Sequence, residues 1–250
     1  MSVDFYDKVA GKFGKYSTGV ETVDEFPNGK PEEEFKGQLM KYSGKDKVCL
    51  DVGCADGRFS ISVAPFLQTV YAIDTSLGML SSATSLQKKT GVKNIILEKK
   101  DAHNTGYQND FFDIVYSRRG PTDYQELRRI LRKDGVYLEI QIGEKDTQQL
   151  KEVFGRGQNF GKWEESTLER NKNMLVKEGF EITFSKDYLY NEYYSSYQDL
   201  DKFLQGVPIF EDFDSEKDKK LLSEYISKFT SEKGIRLPRH RIVTVAKTTS

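Results

Sequence analysis

At 250 residues the chain is long enough for one substantial α/β domain, or for one domain with a modest insertion. Charged residues make up 31% and hydrophobic residues 37%, and the net charge is −1; proteins that grip polyphosphate backbones carry a basic excess, so the balance argues against a nucleic-acid partner. No apolar stretch has the length of a signal peptide core or a membrane span, so no membrane association and a cytoplasmic location are expected, with Cys49 and Cys54 as buried free thiols.

In chain order, Val3–Phe13 places Phe5, Val9 and Phe13 at four-residue spacing and reads as a helix. A turn-rich segment, 14–30, follows, and then a helix at Pro31–Tyr42 whose proline and three glutamates make a favourable first turn. From there the rhythm is strand, turn, helix, repeated. Val48–Val52 is a buried strand and Arg58–Leu67 a helix; Thr69–Ile73 is the second strand, ending at Asp74. Ser76 caps a helix to about Lys89, and Gly91 closes it. Asn94–Lys99 and Phe111–Tyr116 are strands three and four, Pro121–Arg132 a helix and Val136–Ile142 the fifth strand. Glu164–Lys177 is a helix stopped by Gly179, and Phe180–Tyr190 and Arg241–Lys247 are the last strands. The alternation predicts a Rossmann-like α/β fold: a seven-stranded, mostly parallel sheet with helices on both faces and the last strand antiparallel. The expected organisation is one domain: a helical cap (1–45), a core (46–190), a mainly helical insertion (191–238) and the last strand and tail (239–250). The aromatics of the insertion suit either a satellite core or a lid over a substrate pocket.

The segment VCLDVGCADGRFS, Val48–Ser60, carries most of the chemistry. An apolar strand delivers Asp51, and the small residues Gly53, Ala55 and Gly57 recur at every second position before a helix. Small residues let the chain turn sharply and let a ligand approach the backbone, and a helix N-terminus offers free N–H groups. A dinucleotide site needs a third glycine where Arg58 stands, counting from Ala55, and no Gly-Lys-Ser/Thr phosphate loop is present.

This segment instead resembles motif I of the class I S-adenosylmethionine-dependent methyltransferases, an acidic residue followed by Gly-x-Gly/Ala-x-Gly. Supporting positions fall in register: Asp74 in VYAIDTSLGML, Asp101-Ala102, the strand FFDIVYSRRG, and LRRILRKDGVYLEI, in which Asp134 replaces the usual first glycine of a turn. The resemblance implies S-adenosylmethionine as cofactor. It implies cofactor contacts from Asp51, Gly53, Cys54, Ala55, Gly57, Asp74, Thr75, Met79, Asp101, Ala102 and Ser117. In such proteins the turn wraps the methionine part, the acid after the second strand takes the ribose hydroxyls, Met79 would lie against the adenine, and Asp101 would accept from the adenine amino group. Met79 as an ordinary core residue, and Asp101 as a solvated loop residue, are the competing readings.

YDKVAGKFGKY, Tyr6–Tyr16, resembles the first helix of the small-molecule branch that includes quinone-biosynthesis methyltransferases, which makes Tyr6 and Tyr16 acceptor-side candidates; an amphipathic helix that only covers the sheet is the alternative. The loop after the fourth strand reads Ser117-Arg118-Arg119-Gly120-Pro121 and lacks the Asn/Asp-Pro-Pro-Tyr motif of adenine and glutamine N-methyltransferases. Arg118 and Arg119 suit an anionic acceptor, since guanidinium pairs bidentately with carboxylate or phosphate; pairing with local acids is the alternative. His103 is the candidate base, against a purely structural role, and His240 reads as structural. No metal cluster is legible. The expected function is methyl transfer to a small, anionic acceptor. The alternatives are an RNA methyltransferase, supported only by the basic runs Lys217–Lys220 and Arg236–Arg241, and a non-catalytic cofactor-binding module. The sequence says nothing of oligomeric state.

Overall fold

The computed structural model describes residues 3–249; Met1, Ser2 and Ser250, which fall within the expected cap and tail, lie outside the described residues. The elements are α1 (Val3–Phe13), β1 (Val23–Glu25), α2 (Pro31–Tyr42), β2 (Val48–Val52), α3 (Arg58–Val63), β3 (Thr69–Asp74), α4 (Leu77–Thr90), β4 (Ile95–Lys99) and β5 (Phe112–Arg118). They continue with α5 (Tyr124–Ile130), β6 (Leu131–Ile142), α6 (Gln148–Phe154), α7 (Thr167–Lys177), β7 (Phe180–Tyr194), α8 (Tyr197–Leu204), α9 (Lys219–Phe229), β8 (Thr230–Ser231) and β9 (Gly234–Thr248). The strands follow the order β1-β7-β9-β6-β5-β2-β3-β4, with β8 paired to β9. The α/β architecture is as expected, with nine strands instead of seven; the short β1 and β8 are the additions. Among the described residues no helix is long and apolar enough to cross a membrane.

Two compact units divide the chain. The first takes in Met1–Lys30, Ile142–Thr167 and Tyr188–Arg241, and its core gathers Leu150, Tyr194, Leu200, Phe210, Leu222, Tyr225 and Leu237. The second takes in Pro31–Gln141, Leu168–Asp187 and Ile242–Ser250. Its core is built on β2, β3, β5 and β6 through Leu50, Val52, Ile73, Phe112, Val115 and Tyr137, covered by Leu127 and Ile130 of α5 and Leu175 of α7.

In the second unit β2 pairs in parallel with both β3 and β5, β3 with β4, and β5 with β6. The chain runs outward from β2 through β3 to β4 and then returns to place β5 on the other side of β2. Strand order therefore reverses between β2 and β5, the place where open α/β sheets hold ligands beyond the carboxyl ends of their strands.

Several boundaries differ from the sequence reading, each for a local reason. The fifth helix begins at Tyr124, not at Pro121, because the Asp123 carboxylate accepts the Glu126 N–H at 3.1 Å and so sets the N-cap. The stretch after Arg58 is an α-helix only to Val63, and a 3-10 turn carries Pro65. Gln148–Phe154 is a helix the sequence reading left unassigned. β7 and β9 run longer than expected, to Tyr194 and from Gly234. The helix Leu77–Thr90 matches its signals: the Ser76 side chain accepts the Met79 N–H at 3.1 Å, and Gly91 closes the far end at φ 71°.

Candidate functional site

Where β2 ends the chain doubles back. The N–H groups of Gly53 and Cys54 both donate to the Ile73 carbonyl, at 2.9 and 3.0 Å, so the turn is tied to the end of β3. Gly53 sits at φ 75° and Gly57 at φ 71°, a region glycine enters without penalty, and Ala55 occupies it too at φ 47°. A Cβ on Gly53 would lie 3.3 Å from the Gly120 Cα, and one on Gly57 would lie 3.0 Å from the Ala83 methyl. Gly53 thus lets the turn after β2 meet the loop after β5 at the strand-order reversal, and Gly57 lets α3 close on α4.

Asp74 organises this turn from the end of β3. Its Oδ2 accepts the Ala55 N–H at 2.9 Å and its Oδ1 the Ser76 N–H at 2.9 Å. The carboxylate thereby ties the glycine turn to the residues that open α4. Thr75 beside it is exposed, while Met79 is fully buried.

Asp51 points into the protein. Its Oδ2 accepts the Ser60 hydroxyl at 2.5 Å and the Tyr116 hydroxyl at 2.9 Å. Burial lifts its pKa to about 6, against the pull of those two hydrogen bonds and of the Arg118 charge. Around it Phe35, Phe59 and Tyr116 pack ring to ring with centroids 5.5–6.0 Å apart. Cys54 is a buried free thiol, held protonated by burial, and Cys49 is another.

Past β4, Asp101 is exposed and its Oδ1 accepts the His103 N–H at 2.9 Å, while Ala102 is buried. The His103 side chain is 61% exposed, its Nδ1 3.4 Å from Asp123 Oδ2. At the end of β5 Ser117 is fully buried and its hydroxyl has no partner. Arg118 and Arg119 converge on one residue, Glu32 in the first turn of α2: the Arg118 guanidinium donates to Oε2 at 2.7 Å and that of Arg119 to Oε1. Desolvation works against the Glu32 charge, yet the two guanidiniums outweigh it and lower its pKa to about 2. Of the two readings of this arginine pair, the structure shows the local acid in place.

Glu139 on β6, which sequence reasoning missed, is fully buried. It accepts from Tyr124 at 3.1 and 3.2 Å, Tyr137 at 3.0 Å and Asn171 at 3.3 Å, and burial raises its pKa. Its signal was a lone acid among the apolar residues of VYLEI.

In the first unit Tyr6 and Tyr16 lie against each other with ring centroids 5.7 Å apart. The basic run Arg236–Arg241 is not a surface stripe. Arg239 Nε and Arg241 NH1 donate to the buried Asp146 Oδ1 at 3.0 and 2.5 Å, and Arg239 also bonds Glu192. His240 is buried, its Nδ1 accepting the Lys145 N–H at 3.3 Å. Lys151 bonds the Asp146 carbonyl at 2.8 Å, and burial lowers its pKa to about 8 although Asp146 opposes it. Among the described residues no group of three or more His, Cys, Asp or Glu is placed to hold a metal ion.

Residues 43–179 match the sequence family described as a methyltransferase domain. The chain is 26% identical over 96 residues to the uncharacterized methyltransferase YcgJ of Bacillus subtilis, an alignment covering 36% of this chain and 38% of that relative's length. The crystal structure of YcgJ superposes with a TM-score of 0.65 at 16% identity, over 87% of this chain and 99% of that one. A Listeria monocytogenes protein described as an S-adenosylmethionine-dependent methyltransferase gives a TM-score of 0.54 at 17% identity, over 88% of this chain and 96% of that one. At these identities the structural likenesses establish the fold.

Proposed function

The chain belongs to the class I methyltransferase family, whose domain matches more than half of it, and from that premise we propose that it transfers the methyl group of S-adenosylmethionine to a small-molecule acceptor. The observation that carries the reading is the glycine turn at the strand-order reversal, backed by the carboxylates of Asp51 and Asp74. A ligand that presents donors suits it: an ammonium, ribose hydroxyls and an adenine amino group. The turn from Gly53 to Gly57 would hold the methionine part, Asp74 the ribose hydroxyls, and Asp101 with Ala102 the adenine edge. The unpartnered Ser117 hydroxyl beside Gly120 is a further polar atom for the ligand to satisfy.

When bound, the cofactor supplies a methyl group on a sulfonium that is already an activated leaving group. The protein's work is then to hold an acceptor atom in line and keep water away. The Gly120-Pro121 loop, packed on Gly53, would form one wall. His103, open to solvent and bonded through its own loop, reads as a loop-holding residue and not as a base. With Arg239 and Arg241 buried in ion pairs, the RNA reading keeps only the run at Lys217–Lys220.

Calorimetric titration with S-adenosylhomocysteine is the first test: saturable binding is expected, and no heat at about 1 mM ligand overturns the proposal. Incubation with methyl-labelled cofactor and a metabolite extract then decides between turnover and a module that only binds.

A further inference from the structure

Side chains alternate along an extended chain, yet Arg118, the last residue of β5, and Arg119, just beyond it, aim both guanidiniums at one carboxylate. The reversal is made by the backbone of Arg119, at φ 62°, a conformation that L side chains rarely adopt. The Arg118 guanidinium is fixed over the Phe59 ring, 4.2 Å from its centroid, and Phe59 lies in the first turn of α3, directly after the glycine turn. The Arg118 Nε is buried and has no hydrogen-bond partner, so Glu32 does not saturate the donors of the fork. Glu32 itself is the loosest member: its side chain is 44% exposed, against 25% and 27% for the arginines.

Resting on the cofactor reading above, we infer that the Arg118–Arg119 fork is a receptor for a ligand carboxylate and that Glu32 is its built-in competitor. A planar two-guanidinium fork matches a carboxylate in shape as well as charge. A half-exposed acid can turn to water when a ligand carboxylate takes its place on the fork. The carboxylate has two possible sources, the amino-acid end of the cofactor or the acceptor. In either case Glu32 lowers affinity for the ligand and keeps the two cations from facing each other when the ligand is gone.

The test compares wild type with Glu32→Gln by calorimetry, using S-adenosylhomocysteine, 5′-methylthioadenosine (which lacks the amino-acid end) and acetate titrated into protein loaded with S-adenosylhomocysteine, with chloride as the ionic-strength control. If the fork reads the cofactor, E32Q binds S-adenosylhomocysteine on the order of tenfold more tightly and 5′-methylthioadenosine unchanged. If it reads the acceptor, S-adenosylhomocysteine affinity stays put and the loaded variant gains a comparable factor for acetate. In both cases adding Arg118→Gln to E32Q abolishes the gain, which a merely structural role for Glu32 would not produce. Unchanged affinities for S-adenosylhomocysteine and for acetate overturn the inference while leaving cofactor binding intact. Should wild type bind no S-adenosylhomocysteine, the cofactor reading itself fails; acetate titrated into the unloaded proteins then decides the fork alone.

Discussion

Tyr116 donates its hydroxyl to Asp51 at 2.9 Å, and the carboxyl that receives it is 2% exposed. Burial, against the pull of that hydrogen bond, makes Asp51 easier to protonate in the folded chain than in the unfolded one, with a pKa of about 6 against the usual carboxylate value of about 3.9. Between those values the native state holds the extra proton, so stability from this group falls as pH rises and levels off above about 6. Asp51→Asn removes the dependence. Thermal melts should show the variant gaining on wild type from pH 4 to pH 6.5, by roughly 2–3 kcal/mol at most. A difference between the two melting curves that is flat across this range would refute the assignment.

Asp146 has the opposite sign. Burial disfavours its charge, but Arg239 and Arg241 hold its pKa well below the usual carboxylate range. Its contribution is present above about pH 4 and is lost as pH falls below the unfolded value. Asp146→Asn leaves two buried guanidiniums short of their counter-charge and should cost about 3–5 kcal/mol at pH 7. Urea denaturation at pH 7 measures it; a loss below 1 kcal/mol would mean the cluster relaxes to water.

Gly57→Ala meets two obstacles, the left-handed backbone and the Ala83 methyl 3.0 Å away. The expected loss is roughly 2–4 kcal/mol, of which the backbone part is about 1–2. Adding Ala83→Gly should return the steric part only. Full recovery in the double variant would show that the backbone is not strained there, and no recovery would show that Ala83 is not the obstacle.

Glu139→Ala strips the acceptor from Tyr124 and Tyr137 and should destabilise by about 2–5 kcal/mol, whereas Glu139→Gln keeps an acceptor oxygen and should cost much less. Denaturant midpoints for the two variants make the comparison; equal losses would mean the tyrosines do not depend on that oxygen.

Asp74→Ala should weaken S-adenosylhomocysteine binding about 10- to 100-fold, combining loss of the ribose acceptor with loss of the anchor for Ala55 and Ser76. Asp74→Asn separates the two by keeping one acceptor for the backbone. An unchanged affinity in both variants would move the ribose elsewhere.

What was legible in the sequence is what short-range chemistry encodes. Ser76 and Gly91 delimit their helix because a cap and a left-handed terminator act within a few residues. Pro121, a residue that favours the first turn of a helix, set the expected start three residues ahead of Tyr124, where the Asp123 cap places it. The turn from Gly53 to Gly57 and the acid at Asp74 were found because each strand-turn-helix step repeats the same signal. The Glu32 partner of Arg119, the Asn171 partner of Glu139 and the arginine partners of Asp146 were not, for they lie 87, 32 and more than 90 residues away in the chain. A buried ion pair leaves no periodicity in either partner's neighbourhood. Arg239 and Arg241 consequently look like a basic surface run in the sequence although both are buried.

The backbone of Arg119 has a bearing on how this loop can drift. At φ 62° glycine or asparagine would sit with less strain, and each is within a few base changes of an arginine codon. Arginine forgoes that relief and in exchange gives Glu32 its second guanidinium. Arg119→Gly trades that strain against one of the two guanidiniums on Glu32, and the shift in melting temperature weighs the one against the other.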